Sequence, residues 1–159
     1  MLFKTHLIVS ILISLILLYF NLNLVFVIIF IIASLLPDID SPASKIGRKV
    51  KILNYLFSHR GFFHSLFALL IFSVILSFID YLLALAFFSG YFLHLLLDSF
   101  TRQGIFLFYP FSTKKSKGRI RVGSFLETIV FFIVLFLIIV LLIFYLKTRF
   151  FWILSIFSV

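Results

Sequence analysis

Residues 7–36 read LIVSILISLILLYFNLNLVFVIIFIIASLL, an apolar run whose main polar break is Asn21-Leu22-Asn23. How this run is read decides the fold. As one helix, its 30 residues are over-long for a bilayer core, which about 20 residues span. As two helices turned at the asparagines, it is a hairpin of two short segments, 2–20 and 24–36. Asparagine favours turns because its side chain bonds to nearby backbone and tolerates the left-handed conformation. The hairpin is therefore preferred. It also brings His6, which opens the first segment, to the same side as Asp38 and Asp40, which follow the second. A single span would strand His6 on the far side. That second reason presumes that His6 belongs with the carboxylates.

Beyond Pro37 the chain turns polar. Over 37–60, Lys45, Arg48, Lys49 and Lys51 alternate with Ile46, Val50, Ile52, Leu53 and Leu56 at helical spacing. That pattern predicts an amphipathic helix lying on the membrane surface. Residues 62–79 form a third apolar segment and 81–100 a fourth. Asp80 is a lone charge at the turn between them. Ser89-Gly90, inside the fourth, suits close helix contact. A basic loop follows over 101–124, then a fifth segment over 125–146. Residues 147–159 are an apolar tail too short to span alone. No internal repeat or low-complexity linker is visible.

Composition agrees with a membrane protein. Mean hydropathy is +1.32, and 12% of residues are charged, against roughly a quarter in soluble domains. The long apolar runs lack the alternation of a barrel strand. The 159 residues allow one domain, 1–159. The expected fold is an all-α polytopic transmembrane bundle: about five membrane helices plus a cytoplasmic amphipathic helix. Lys4 followed by Leu7–Phe20 resembles a signal peptide, but no small-residue cleavage site follows, so the segment is expected to be retained. The absence of cysteine excludes disulfides and thiolate ligands.

The net charge of +9 falls in the loops. Lys4, five residues in 37–60 and six in 101–124 leave only Lys147 and Arg149 of the 14 Lys and Arg. With five spans, the positive-inside rule places the N-terminus and both basic segments in the cytoplasm. The basic residues then serve topology and contact with anionic lipid, and no specific nucleic acid is expected.

The same arrangement gathers the chemistry. His6, Asp38, Asp40, His59, His64, His94, Asp98 and Glu127 all fall at the cytoplasmic helix ends. Ionisable residues at a membrane helix are costly and mark function by default. His94 and Asp98, at i and i+4, share one helical face. A buried His–Asp hydrogen bond would explain that pair equally well. Asp38 and Asp40 exceed what one helix cap needs, and bridging carboxylates suit a two-metal centre. His59 and His64 flank the start of the third segment. His6, Asp38, Asp40, His59, His64, His94 and Asp98 are the expected metal ligands. Asp40, Arg60 and Glu127 are the candidate catalytic groups. Arg60 either stabilises an anionic substrate or snorkels to headgroups. Ser124-Phe-Leu-Glu127 is also a capping box, and both readings of Glu127 stay open. A histidine and carboxylate set without sulfur suits Zn²⁺ best, one to three ions, with Mn²⁺ or Fe²⁺ as alternatives.

Three ordered motifs carry a family likeness. Leu36-Pro-Asp-Ile-Asp-Ser-Pro-Ala-Ser44, His59-Arg-Gly-Phe-Phe-His-Ser65 and Gly90-Tyr-Phe-Leu-His-Leu-Leu-Leu-Asp-Ser-Phe-Thr-Arg-Gln-Gly104, followed by Tyr109-Pro110, resemble the YdjM-like family of inner-membrane metal-dependent hydrolases. The early His6 fits too. Phe63 stands where the family usually has threonine. A more distant likeness is to the zinc-dependent phospholipase C and P1 nuclease group, whose ligands include an early histidine and a His-x-x-x-Asp. That likeness implies phosphodiester hydrolysis by analogy.

The expectation is a multi-pass protein of the inner (plasma) membrane that hydrolyses phosphoesters, lipid-linked ones among them, with a metal-activated water at the cytoplasmic face. Membrane lipids are its expected partners, with a phospholipid or other phosphoester as substrate. Two other classes compete: a non-catalytic metal-stabilised scaffold that anchors a cytoplasmic partner, and a metal transporter. The transporter predicts ligands at the bilayer midplane, not at helix ends.

Overall fold

The computed structural model describes residues 1–40 and 61–157, with side chains for residues 1–38 and 61–148. The expected surface helix, His59 and Arg60 lie outside the described residues, as does the side chain of Asp40. The described residues form five α-helices: α1 (Phe3–Tyr19), α2 (Leu24–Leu35), α3 (Leu66–Ser77), α4 (Tyr81–Ser99) and α5 (Phe125–Phe157). Short 3₁₀ turns follow α2 (Leu36–Asp40) and precede α3 (Phe62–His64). No named strand occurs among the described residues; two isolated bridges, Thr101 with Ile120 and Ile105 with Ser116, fold the basic loop onto itself.

The hairpin is present, and the asparagines make it. The Asn21 N–H donates to Leu18 O at 3.0 Å and the Leu22 N–H to Leu17 O at 3.1 Å, the paired bonds of a Schellman stop. Asn21 takes the left-handed conformation this stop requires, with φ of 62°. Asn23 then caps α2, its side-chain oxygen accepting from the Phe26 N–H at 2.7 Å. Two residues thus end one helix and begin the next.

Helix lengths support two of the five expected spans among the described residues. Among the described residues, only α4 and the Phe125–Thr148 part of α5 are long and apolar enough to cross a membrane. Helix α1 has 17 residues, and α2 and α3 have 12 each; at about 1.5 Å per residue they fall short of the ~30 Å hydrocarbon core. The causes are local. Pro37 lacks the N–H that would continue α2. The third segment starts as a 3₁₀ turn, and its helix begins only after Ser65, which caps it by accepting from the Ala68 N–H at 3.2 Å. The expected start at 62 is thus moved by four residues. At the other end of the chain, 147–157 is no separate tail, because α5 runs on to Phe157.

Helix α2 packs most extensively on α4, with α3 against the other side of α4 and α1 bridging α2 and α5. Tyr91, Leu95, Leu69, Ala33 and Ile105 form the main buried cluster. Gly90 allows the closest approach. A Cβ there would lie 2.2 Å from the Phe30 carbonyl oxygen of α2. The outward faces remain apolar: Phe132, Phe136 and Ile143 of α5 are all at least 60% exposed, a surface suited to lipid. In this antiparallel arrangement the start of α1, the end of α2, the start of α3, the end of α4 and the start of α5 share one end of the bundle.

Candidate metal centre

That common end gathers four of the expected ligands and holds their donors at similar spacing. His94 and Asp98 come from the last turns of α4. Asp38 comes from the 3₁₀ turn beyond α2, and His64 from the turn before α3. His64 Nε2 lies 3.9 Å from Asp38 Oδ1 and 3.8 Å from Asp98 Oδ2. His94 Nε2 lies 3.8 Å from Asp38 Oδ1 and 3.9 Å from Asp98 Oδ2. The side chains of His64, His94 and Asp98 are buried, and that of Asp38 is 19% exposed.

Those four distances are compatible with a cation site. They exceed the ~3.2 Å limit of a good N–H···O bond. Zinc bonded at about 2.0–2.2 Å to four donors would separate them by about 3.3–3.6 Å. The gaps seen are a few tenths of an ångström wider, within reach of a small side-chain movement. His94 Nε2 and Asp98 Oδ2 are buried and have no hydrogen-bond partner among the described residues. Leaving such atoms unsatisfied costs about 1–3 kcal/mol each, more where charge is involved. A divalent cation would satisfy both. Asp38, His64 and His94 offer one ligand group, and His6, His94 and Asp98 offer another. Burial opposes ionisation of Asp38, but the His64 ring beside it and the neighbouring His94 and His6 hold its carboxyl below the usual range.

The surrounding shell orients these donors. His94 Nδ1 is 2.8 Å from the Ser34 carbonyl oxygen; a proton there leaves the Nε2 lone pair facing the other donors, as expected of a metal-binding imidazole. The hydroxyls of Ser34 and Ser10 bond to each other at 2.6 Å, and Ser10 also donates to His6 O at 2.7 Å. Tyr91, nearly one turn before His94, donates from its hydroxyl to Phe63 O and so pins the turn that carries His64. Sequence reading missed Ser34, Ser10 and Tyr91. The only available signal was polar residues recurring inside apolar helices. His6 also reaches the cluster, with Nε2 3.2 Å from Asp98 Oδ1, and the Met1 amino nitrogen contacts the same oxygen.

Glu127 reaches the common end but belongs to neither ligand group. Its Oε1 accepts from the Leu2 N–H at 2.7 Å and the Thr5 hydroxyl at 2.9 Å, and its Oε2 from the Gly123 N–H at 2.6 Å. One carboxylate thus caps the start of α1, which has no side-chain cap of its own, and ties it to the start of α5. The expected capping box is only half formed: the Glu127 N–H reaches the Ser124 hydroxyl at 3.5 Å, while the Ser124 N–H donates to Arg121 O and the Glu127 carboxylate serves α1 and Gly123 instead. Glu127→Ala should lower stability by about 2–4 kcal/mol, since it leaves buried donors unpaired. Thermal unfolding in detergent measures this, and metal content should stay unchanged. A loss of bound metal at full stability would instead make Glu127 a ligand.

Among known proteins, the chain is 36% identical over 106 residues to YvsG of Bacillus subtilis (strain 168), described as an uncharacterized protein. That stretch takes in 62% of this chain and 66% of YvsG, just under two-thirds of its length. No solved structure matches the chain, and the likeness to the phospholipase C and P1 nuclease group stays an analogy of motif order. The sequence profile of the YdjM inner membrane protein family matches residues 1–159, so the chain belongs to that family of membrane proteins.

Proposed function

We propose that the protein is a metal-dependent hydrolase of the inner membrane that acts on phosphoesters at the cytoplasmic end of its helix bundle. The observation that carries this reading is the ring of Asp38, His64, His94 and Asp98 donors, at 3.8–3.9 Å spacing, around two unpaired buried atoms. Zn²⁺ is the preferred ion for such a set. When bound, the ion would supply Lewis acidity and acidify a coordinated water. The chain's own residues would hold it. Asp40 and Arg60, from the segment joining α2 to α3, are the proposed proton-handling and anion-stabilising groups.

The orientation rests on charge. The two segments that leave this end of the bundle, 41–60 and 101–124, carry 11 of the 14 Lys and Arg. The positive-inside rule makes that end cytoplasmic. Helices α4 and α5 cross the bilayer, and the shorter α1–α3 are accommodated by local thinning. This places the site at headgroup level, where phosphoester lipids present their phosphates.

One observation favours a second reading, a metal-stabilised scaffold. His64, His94 and Asp98 are fully buried, as in closed structural sites that leave no position for substrate. A panel of phosphomonoesters and phosphodiesters, free and lipid-linked, separates the two when offered to protein of known metal content. Metal-dependent release of phosphate or alcohol is expected. Tightly bound metal with no cleavage anywhere in the panel would favour the scaffold.

A further inference from the structure

His6 is close enough to Asp98 and His94 to complete a ligand group with them, yet its ring is wrongly placed to share their ion. The His6 and His94 rings stack, with centroids 4.1 Å apart and planes 11° from parallel. A metal–imidazole bond lies in the ring plane, with zinc about 2.0–2.1 Å from the nitrogen. Two rings sharing an ion must both contain it in their planes. Near-parallel planes can do so only when the rings are coplanar, and stacked rings are not. His64 and His94 meet no such obstacle, because their planes cross at 65°.

Asp98 shows what His6 does instead. Its two oxygens face different partners: Oδ1 lies 3.2 Å from His6 Nε2 and also meets the Met1 amino nitrogen, and Oδ2 points toward His64 and His94. A proton on His6 Nε2 makes this a hydrogen bond. His94 is in turn committed at Nδ1 to the Ser34 carbonyl. It has one nitrogen to give, and so one ion to bind.

We propose that His6 is a positioning residue, not a ligand: it holds Asp98 through Oδ1 and packs on the face of His94, so it brings no ion of its own to the donor ring. The proposal rests on the metal reading above and deepens it. Groups that orient a ligating carboxylate typically contribute about 10- to 100-fold in metal affinity.

The test uses the full-length protein in detergent, loaded with Zn²⁺ for stoichiometry and with Co²⁺ for its visible absorption. Glutamine presents an amide N–H near the position of histidine Nε2–H, and alanine presents none. Wild type and His6→Gln should hold the same number of ions per chain and give the same cobalt spectrum. His6→Ala should bind the ion about 10- to 100-fold more weakly, with glutamine restoring most of the loss. Two ions in wild type falling to one in His6→Gln would overturn the proposal. So would a His6→Gln variant that binds no better than His6→Ala. Wild type that binds no ion at all would overturn the metal reading itself, and this proposal with it.

Discussion

Replacing His94 and Asp98 together by alanine should leave the protein without bound divalent metal. The two residues supply Nε2 and Oδ2, half of the four-donor ring. A four-ligand zinc site gains about 10–16 kcal/mol on binding. Losing two ligands removes a large share of that, enough to take the metal content of purified protein to background. Elemental analysis after dialysis against a weak chelator reads the result directly. Because the pair is buried, the double variant should be accompanied by His94→Gln, which keeps most of the ring's volume and should still lower metal content sharply. Unchanged metal in both variants would sink the site. The contrast with Glu127→Ala is informative, since both changes remove buried polar groups at the same bundle end and only one should cost metal.

The second large effect concerns packing. Glycine to alanine inside an exposed helix normally gains about 1 kcal/mol. At Gly90 the sign should reverse. The new methyl carbon would lie 2.2 Å from the Phe30 carbonyl oxygen and 2.9 Å from its carbon. Backbone atoms cannot rotate away as side chains can, so α2 and α4 must part. Overpacking of this kind costs about 1–3 kcal/mol, sometimes more. The cost should also reach the metal centre. The Ser34–His94 contact joins the same two helices just beyond this crossing, and stretching it frees the His94 ring to turn. Gly90→Ala should therefore lower both melting temperature and metal affinity. A variant as stable as wild type would mean that α2 and α4 do not meet at Gly90.

Much of this was legible in the chain itself. Asn21 and Asn23 announced the hairpin, because a left-handed helix stop and a helix cap are local chemistry that does not wait for a partner. The i, i+4 pair His94 and Asp98 had to share a face for the same reason. Ser65 and Asp80, each accepting from a backbone N–H three residues on, are local caps too, though the sequence reading takes Asp80 only as a lone charge at a turn and passes over Ser65 as a cap. Helix length was less legible. Apolar runs gave five segments, the first two short, but they did not show that the first turn of the third segment would be 3₁₀, or that α2 would end at Leu35.

The sequence by itself determined which residue types were available at one face of a membrane bundle: histidines and carboxylates, no thiols, and a belt of basic residues beside them. Tertiary structure decided which of them meet and in what role. Asp38, His64, His94 and Asp98 come from three separate stretches of chain, and their spacing depends on how closely α2 crosses α4 at Gly90. Glu127 and His6 lie at the same end, and neither joins the four-donor ring. Glu127 is held by the N–H groups of Leu2 and Gly123, whose positions depend on how α1 packs against α5. His6 is turned flat against His94. Composition and spacing set the distance of a residue along the chain. The direction in which a ring's lone pair points is set only by the neighbours that pack around it.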